Sequence, residues 1–272
     1  MRAAGVAAHD LEARLIVAHA TGKTREELLS LSRFFITENE IIQSVNSMLE
    51  RRLAGEPVAY IVGEWEFYGL PMIVNEAVMI PRIDTEVLAD AAIELMRRRR
   101  SQTRLLDLCA GSGCVGIAIA VNVPDCRVVL ADNSQKALAI CRTNILKNRV
   151  TRSVTAIEAD ALELPPSLLG TFDAIVSNPP YIPSTELESL DPSVRLYEPE
   201  AALDGGEDGL MFFRLIAKNW QTLLKPGGQL AMECGAGQSS LLREIMEDNG
   251  FWKLSTHIDT LGIERVIVGT LR

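Results

Sequence analysis

Residues 178–181 read Asn-Pro-Pro-Tyr and follow the run Phe172, Asp173, Ala174, Ile175, Val176, which predicts a buried strand that delivers them. The consecutive prolines remove two backbone donors and fix two φ angles, and the residue before each is held extended. Asn178 offers a side-chain carbonyl, and Pro179 offers a backbone carbonyl whose surroundings Pro180 freezes. Two acceptors in a fixed fork can hold both hydrogens of a planar NH2 group, with Tyr181 against its face or edge. Such a grip localises electron density on a weakly nucleophilic nitrogen and aims it for in-line displacement. That nitrogen becomes acidic only after it has gained its new substituent, so no histidine or lysine base is required. Asn178, Pro179 and Tyr181 are therefore the catalytic candidates. The motif does not name its substrate, because glutamine side chains and the exocyclic amines of nucleic-acid bases present the same group.

A second constellation lies upstream. In Leu-Leu-Asp-Leu-Cys-Ala-Gly-Ser-Gly-Cys-Val-Gly (105–116), Gly111, Gly113 and Gly116 spell G-x-G-x-x-G between a predicted strand and a predicted helix, and Asp132 ends the next strand. The spacing alone fits a dinucleotide loop or a tight turn with no ligand. Asp107 shifts the choice, because Asp-Leu-Cys-Ala-Gly-Ser-Gly resembles the first motif of class I S-adenosylmethionine-dependent methyltransferases. That resemblance implies a loop backbone passing under a methionine tail and a ribose. It implies that Asp132 accepts from the ribose hydroxyls, and that Asp160, at the end of a third strand, stands near the adenine amino group. A nicotinamide-dependent oxidoreductase fits the glycine spacing but leaves residues 178–181 without a role.

The elements that must position these residues follow from periodicity. Helices are predicted over His9 to Gly22, Thr24 to Ser32 and Thr37 to Gly55, the last two opened by threonine N-caps with acidic first turns. Pro57, Gly63, Gly69, Pro71 and Pro81 punctuate runs rich in Val, Ile and aromatic residues, which predicts a β-hairpin connector over 57–84. From Thr85 onward strands and helices alternate, predicting βαβ units in a mostly parallel, doubly wound sheet. One long helix is expected over 209–228, ended by Pro226, Gly227 and Gly228. The run Arg97–Arg100 reads as a solvated helix end complementing the dipole.

Composition narrows the partners. The chain of 272 residues is 47% hydrophobic and 23% charged, with a formal net charge of −9. An acidic chain does not attract nucleic acid over long range, so no direct nucleic-acid partner is expected. The first residues are interrupted by His9, Asp10, Glu12 and Arg14, so no secretory leader is expected. The longest uncharged stretch, between Asp107 and Asp125, is too short and glycine-rich for a membrane span. Cys109, Cys114, Cys126, Cys141 and Cys234 form no C-x-x-C pair and sit beside no histidine cluster. Neither a disulfide framework nor a metal site is indicated, and a cytoplasmic location is expected.

Several separated segments narrow the resemblance further: PVAYIVGEWEFYGLPMIVNEAVMIPRIDTE, DLCAGSG, SNPPYIP, YEPEAALDGGEDGL and LKPGGQLAMECGAGQ. Over nearly the whole chain they resemble the PrmC or HemK family, the glutamine N5-methyltransferases of bacterial class-1 peptide chain release factors. The resemblance implies a class I methyltransferase of α/β fold, Rossmann-like, with a mostly parallel seven-stranded sheet. A small helical domain over 1–56 would dock the release factor, with the connector at 57–84 and the methyltransferase domain at 85–272. The implied reaction moves a methyl group from S-adenosyl-L-methionine to the glutamine amide nitrogen of a Gly-Gly-Gln motif, leaving S-adenosyl-L-homocysteine. Carried over by position, Cys109, Ala110, Gly111, Ser112, Gly113, Asp132, Asp160, Ala161 and Asn178 would bind the cofactor. Asn178, Pro179, Pro180 and Tyr181 would receive the glutamine. A ribosomal-protein glutamine or a nucleic-acid base amine is the alternative substrate.

Two positions depart from the family pattern. Glycine is often found where Cys109 stands, and Arg-Pro-Glu-Thr-Glu where this chain has Arg82, Ile83, Asp84, Thr85 and Glu86. Gly227, Gly228 and Gln229 spell the substrate motif itself, but they are expected in a helix-to-strand turn, and self-methylation is not expected.

Overall fold

A computed structural model describes residues 1, 6, 8–30, 36–99 and 102–272. Helices α1 (His9–Thr21), α2 (Arg25–Ser30) and α3 (Asn39–Leu53) open the chain. α2 begins in a capping box: the Thr24 N–H donates to Glu27 Oε2 at 2.7 Å and the Glu27 N–H donates to Thr24 Oγ1 at 3.1 Å. The end expected for this helix, through Ser32, lies outside the described residues. α3 corrects the expected cap, because Glu38 rather than Thr37 occupies the N-cap position and no side chain caps the helix. Thr37 stands too far ahead of the free amides to reach them. A bond of 2.6 Å from Arg52 to Glu12 ties α3 to α1.

The connector is a hairpin only in part. Val58–Val62 forms the short helix α4, followed by the antiparallel pair β1 (Glu64–Phe67) and β2 (Leu70–Ile73). Val58, Ala59, Tyr60 and Ile61 are all buried, and the Tyr60 hydroxyl donates to the Val78 carbonyl at 2.6 Å. Burial of four successive side chains overrides their β propensity. Pro57 sits at the N-cap of α4, where a missing N–H breaks no helical bond.

The sheet carries the site. β3 (Thr103–Leu108), β4 (Cys126–Asp132), β5 (Val154–Glu158), β6 (Phe172–Ser177) and β7 (Leu224–Glu233) run parallel, and β8 (Phe251–Ile258) and β9 (Glu264–Leu271) complete it in antiparallel pairings. The order of the seven strands is β5-β4-β3-β6-β7-β9-β8. One face packs on α5 (Glu86–Arg97), α6 (Cys114–Asn122) and α7 (Gln135–Lys147) through Leu88, Ala92, Ile117 and Ala137. The short α8 (Pro192–Arg195) precedes α9 (Met211–Asn219) and α10 (Ser239–Asp248), which cover the other face through Phe213, Ile216 and Leu242. Every residue of β6 is buried, as a strand covered on both faces requires.

The long helix expected over 209–228 is shorter. α9 stops at Asn219, a 3-10 turn spans Trp220–Leu223, and β7 begins at Leu224. Trp220 fixes the change of course: it is fully buried and its Nε1–H donates to the Ala161 carbonyl at 3.0 Å. Register shifts between the pairs Phe172–Leu224 and Ala174–Gln229, so Gly227, Gly228 and Gln229 lie in an irregular stretch of β7 rather than in a helix-to-strand turn. The arginine run is also more than a solvated end. Arg99 meets Asp173 at 3.2 Å, beside Lys225 at 2.8 Å, because the buried carboxylate of Asp173 requires cations. Arg100 lies outside the described residues.

Candidate active site

β3 and β6 are parallel neighbours although far apart in sequence, and the order in which successive strands are added to the sheet reverses at this junction. Ligands of open α/β sheets bind beyond the strand ends at such a switch point. The glycine loop leaves β3 there and the Asn-Pro-Pro-Tyr loop leaves β6. The Ser177 hydroxyl donates to the Leu108 carbonyl at 2.6 Å and ties the two exits together.

The loop after β3 is closed by acids acting on backbone amides. Asp107 is buried, and its Oδ2 accepts from the Gly116 N–H at 2.8 Å. Burial pushes its carboxyl up to about 7, against the downward pull of that bond. Asp132 Oδ2 accepts from the Gly111 N–H and its Oδ1 from the Ser134 N–H, each at 2.9 Å. Burial raises its pKa while the two amides oppose the rise. Each of its oxygens retains lone-pair capacity toward the hollow. Asp160 stands beyond β5 rather than at its end, because pairing with β4 stops at Glu158. Its Oδ1 accepts from the Leu162 N–H at 2.9 Å. Cys109 has a left-handed backbone with φ 61°.

Cys109, Ala110, Gly111, Ser112, Asp132, Asp160, Ala161, Asn178 and Pro180 line one open hollow of ≈ 1000 Å³. Gly113 does not line it; it is the N-cap of α6, beneath the loop. Val78, Met79 and Pro81 from the stretch after β2, and Thr85 at the N-cap of α5, line the same hollow, and Ala202 and Phe212 come from later segments. Pro179 and Tyr181 border a second hollow of ≈ 220 Å³ instead. Asn178 borders both.

Sequence reasoning missed the groups that hold this second loop. Asn178 Nδ2 donates to Thr85 Oγ1 at 3.1 Å. Thr85 lies between two other anchors: Asp84 pairs with Arg265 at 2.8 Å, and Glu86 Oε1 accepts from the Tyr68 N–H at 2.8 Å. The departure at Ile83 and Asp84 therefore retains a carboxylate with a defined partner. Glu233, at the end of β7, is buried and its Oε2 has no hydrogen-bond partner among the described residues. Burial pushes its carboxyl up to about 7, opposed by hydrogen bonding from Thr85 and the charge of Arg265.

Residues 203–209 clasp the other side of the loop. The Ile182 N–H donates to Leu203 O at 3.0 Å and the Gly205 N–H donates to Ile182 O at 2.8 Å. A Cβ on Gly209 would lie 2.4 Å from the Tyr181 carbonyl oxygen, and one on Gly205 2.7 Å from Tyr181 Cα. The glycine-rich run Asp204–Gly209 is the sequence signal for this contact. Gln238 Nε2 completes it, donating to Tyr181 O at 2.9 Å. Asn144 on α7 is a further unpredicted support. It is fully buried, accepts from the Ile73 N–H at 2.7 Å, and donates to the carbonyls of Ile73 and Ser112 at 3.0 and 2.9 Å.

Residues 1–63 match the PrmC N-terminal domain, and residues 84–190 match the methyltransferase small domain. The release factor glutamine methyltransferase of Geobacter sulfurreducens is 41% identical over 232 residues, covering 85% of this chain and 79% of that protein. The chain belongs to the release factor glutamine methyltransferase family. A bifunctional methyltransferase of Rickettsia felis is 36% identical over 97% of this chain, which spans 54% of that longer relative. A solved methyltransferase from Pyrococcus furiosus shares the fold, with a TM-score of 0.53 at 16% identity over 83% of this chain and 98% of that one. The fold is that of a class I methyltransferase. Among the described residues no helix is long and apolar enough to cross a membrane.

Proposed function

We propose that this protein transfers a methyl group from S-adenosylmethionine to the side-chain amide nitrogen of the Gly-Gly-Gln glutamine in class-1 peptide chain release factors, in the cytoplasm. The observation that carries the reading is Asn178, which borders both hollows while its NH2 end is bonded to Thr85. Its carbonyl oxygen is then the end available to a substrate amide.

The larger hollow suits the cofactor. Asp132 and Asp160 offer acceptors to the ribose and adenine, and Ala161 and Phe212 offer apolar wall. Cys109, Ala110, Gly111 and Ser112 bring backbone close to the methionine portion, with Gly113 turning the chain beneath. Bound S-adenosylmethionine supplies an electrophilic methyl group on its sulfonium. Asn178 Oδ1 and the Pro179 carbonyl accept the two amide hydrogens, Pro180 stiffens the fork, and Tyr181 packs against the amide. The proton leaves to water once the nitrogen has become cationic, and no side-chain base takes part. In this reading residues 1–56 dock the release factor, residues 57–84 connect, and residues 85–272 carry the chemistry.

Labelled S-adenosylmethionine, the purified protein and a release factor test the proposal. The intact factor should take up label, and its Gln→Ala variant in the Gly-Gly-Gln motif should not. Equal labelling of both would sink the glutamine assignment. Ribosomal proteins and nucleic acids assayed alongside separate the alternative substrates.

A further inference from the structure

We infer that Thr85 and Glu233 are positioning residues that lock the Asn178 amide in one of its two flipped states. This rests on the proposed function, in which Asn178 must accept rather than donate. An asparagine amide is nearly symmetric in shape, and a half-turn exchanges its acceptor for its donors. An unlocked Asn178 would therefore present NH2 to an incoming NH2, and the fork would repel its substrate.

The lock follows from donor and acceptor counting. Thr85 is buried, and its Oγ1 accepts from Asn178 Nδ2 at 3.1 Å. A hydroxyl has one hydrogen to give, and Glu233 is the carboxylate beside it, with the Asn178 amide as its other side-chain hydrogen-bond donor. An ionised Glu233 can only accept. It draws the Thr85 hydrogen toward itself and leaves the threonine oxygen as an acceptor for Asn178. A protonated Glu233 is itself a donor to Thr85 Oγ1. The threonine hydrogen is then free to turn to Asn178 Oδ1, which favours the wrong flip. The unpaired Oε2 of Glu233 fits this two-state role, since one oxygen stays available for a proton. Asp84, Tyr181, Cys234 and Cys114 disfavour or are disfavoured by its charge, and Arg265 favours it. Burial places the exchange near neutral pH, at about 7.

Three variants test the lock. Thr85→Val keeps shape and removes the hydroxyl, and kcat should fall about tenfold or more with cofactor affinity little changed. Thr85→Ser restores the hydroxyl and should restore kcat to within about threefold of the parent. Glu233→Gln cannot ionise, so the fall in kcat of the parent on acidification through neutrality should vanish. Asp107 titrates in the same range but bonds Gly116, so its effect is read separately in cofactor affinity. Side-chain amide NMR of Asn178 provides a readout that needs no release factor: its NH2 resonances should shift on acidification in the parent and lose that response in Glu233→Gln. If Thr85→Val turned over like the parent, or the Asn178 resonances ignored both pH and Glu233→Gln, the lock would be overturned. Should Thr85→Val not fold, the Ser and Gln variants decide. A parent that shows the NMR response but does not label a release factor would refute the proposed substrate and leave the lock standing.

Discussion

The two loops at the sheet edge solve opposite problems. The loop after β3 is organised by near neighbours: Asp107 holds Gly116, and Asp132 at the adjacent strand end holds Gly111. The loop after β6 is held from afar, by Thr85 on one side, Gly205 and Gly209 on another, and Gln238 behind. In the proposed reading the loop after β3 can be local, because a cofactor there would be met largely by backbone. A substrate fork must fix the direction of a single side-chain amide, and that takes partners on several elements. Damage to the first should appear in cofactor affinity, and damage to the second in turnover.

The sharpest break of this comparison is Asn178→Ala. Loss of one preorganised acceptor should lower kcat by about 10²–10³ while the cofactor dissociation constant moves only a fewfold, read by steady-state kinetics and calorimetry. A collapse of cofactor affinity with unchanged kcat would erase the distinction between the loops. Gly209→Ala comes next, touching neither proposed ligand. Its left-handed φ of 72° and the 2.4 Å approach to Tyr181 O should cost about 1–3 kcal/mol in denaturant melts and lower turnover.

On the proposed cofactor side the effects are read in stability rather than in turnover. Asp107 has a folded pKa of about 7, above its ordinary 3.8, so the native state holds the proton longer than the unfolded chain. Its stabilising contribution is complete below the ordinary carboxyl range and is lost as pH rises through neutrality, with a slope approaching about 1.4 kcal/mol per pH unit. Asp107→Asn keeps an acceptor for Gly116 and should remove its share of that slope, leaving the share of Glu233, whose shift has the same sign. Thermal melts of the cofactor-free protein from pH 4 to 8 would show it. Cys109→Gly should be the gentlest, relieving a left-handed side chain and gaining about 0.5–1 kcal/mol after the added flexibility of glycine is counted.

What could be read from the sequence follows the same division. Alternating apolar runs and capped helices predicted the sheet and its flanking helices, because each strand and helix carries its own period. The contiguous motifs at 107–113 and 178–181 announced both loops. Residues 58–61 misled, since their β-rich composition is overruled by burial of the whole turn. Trp220 misled too, because its bond to Ala161 ends a helix that its neighbours would continue. Thr85 resembled an ordinary helix start and Glu233 an ordinary strand end. Their meaning depends on meeting Asn178, and nothing local encodes that meeting.

Asn144 joins what this division separates. Its amide pairs with Ile73 as a neighbouring strand would, and the same NH2 group holds the carbonyl of Ser112 in the glycine loop. The amide hydrogen of Ile73 can exchange with solvent only when α7 and the hairpin part, an opening that also frees Ser112. A ligand that steadies the glycine loop should slow deuterium uptake at Ile73, making one hydrogen in the hairpin a reporter of occupancy in the larger hollow.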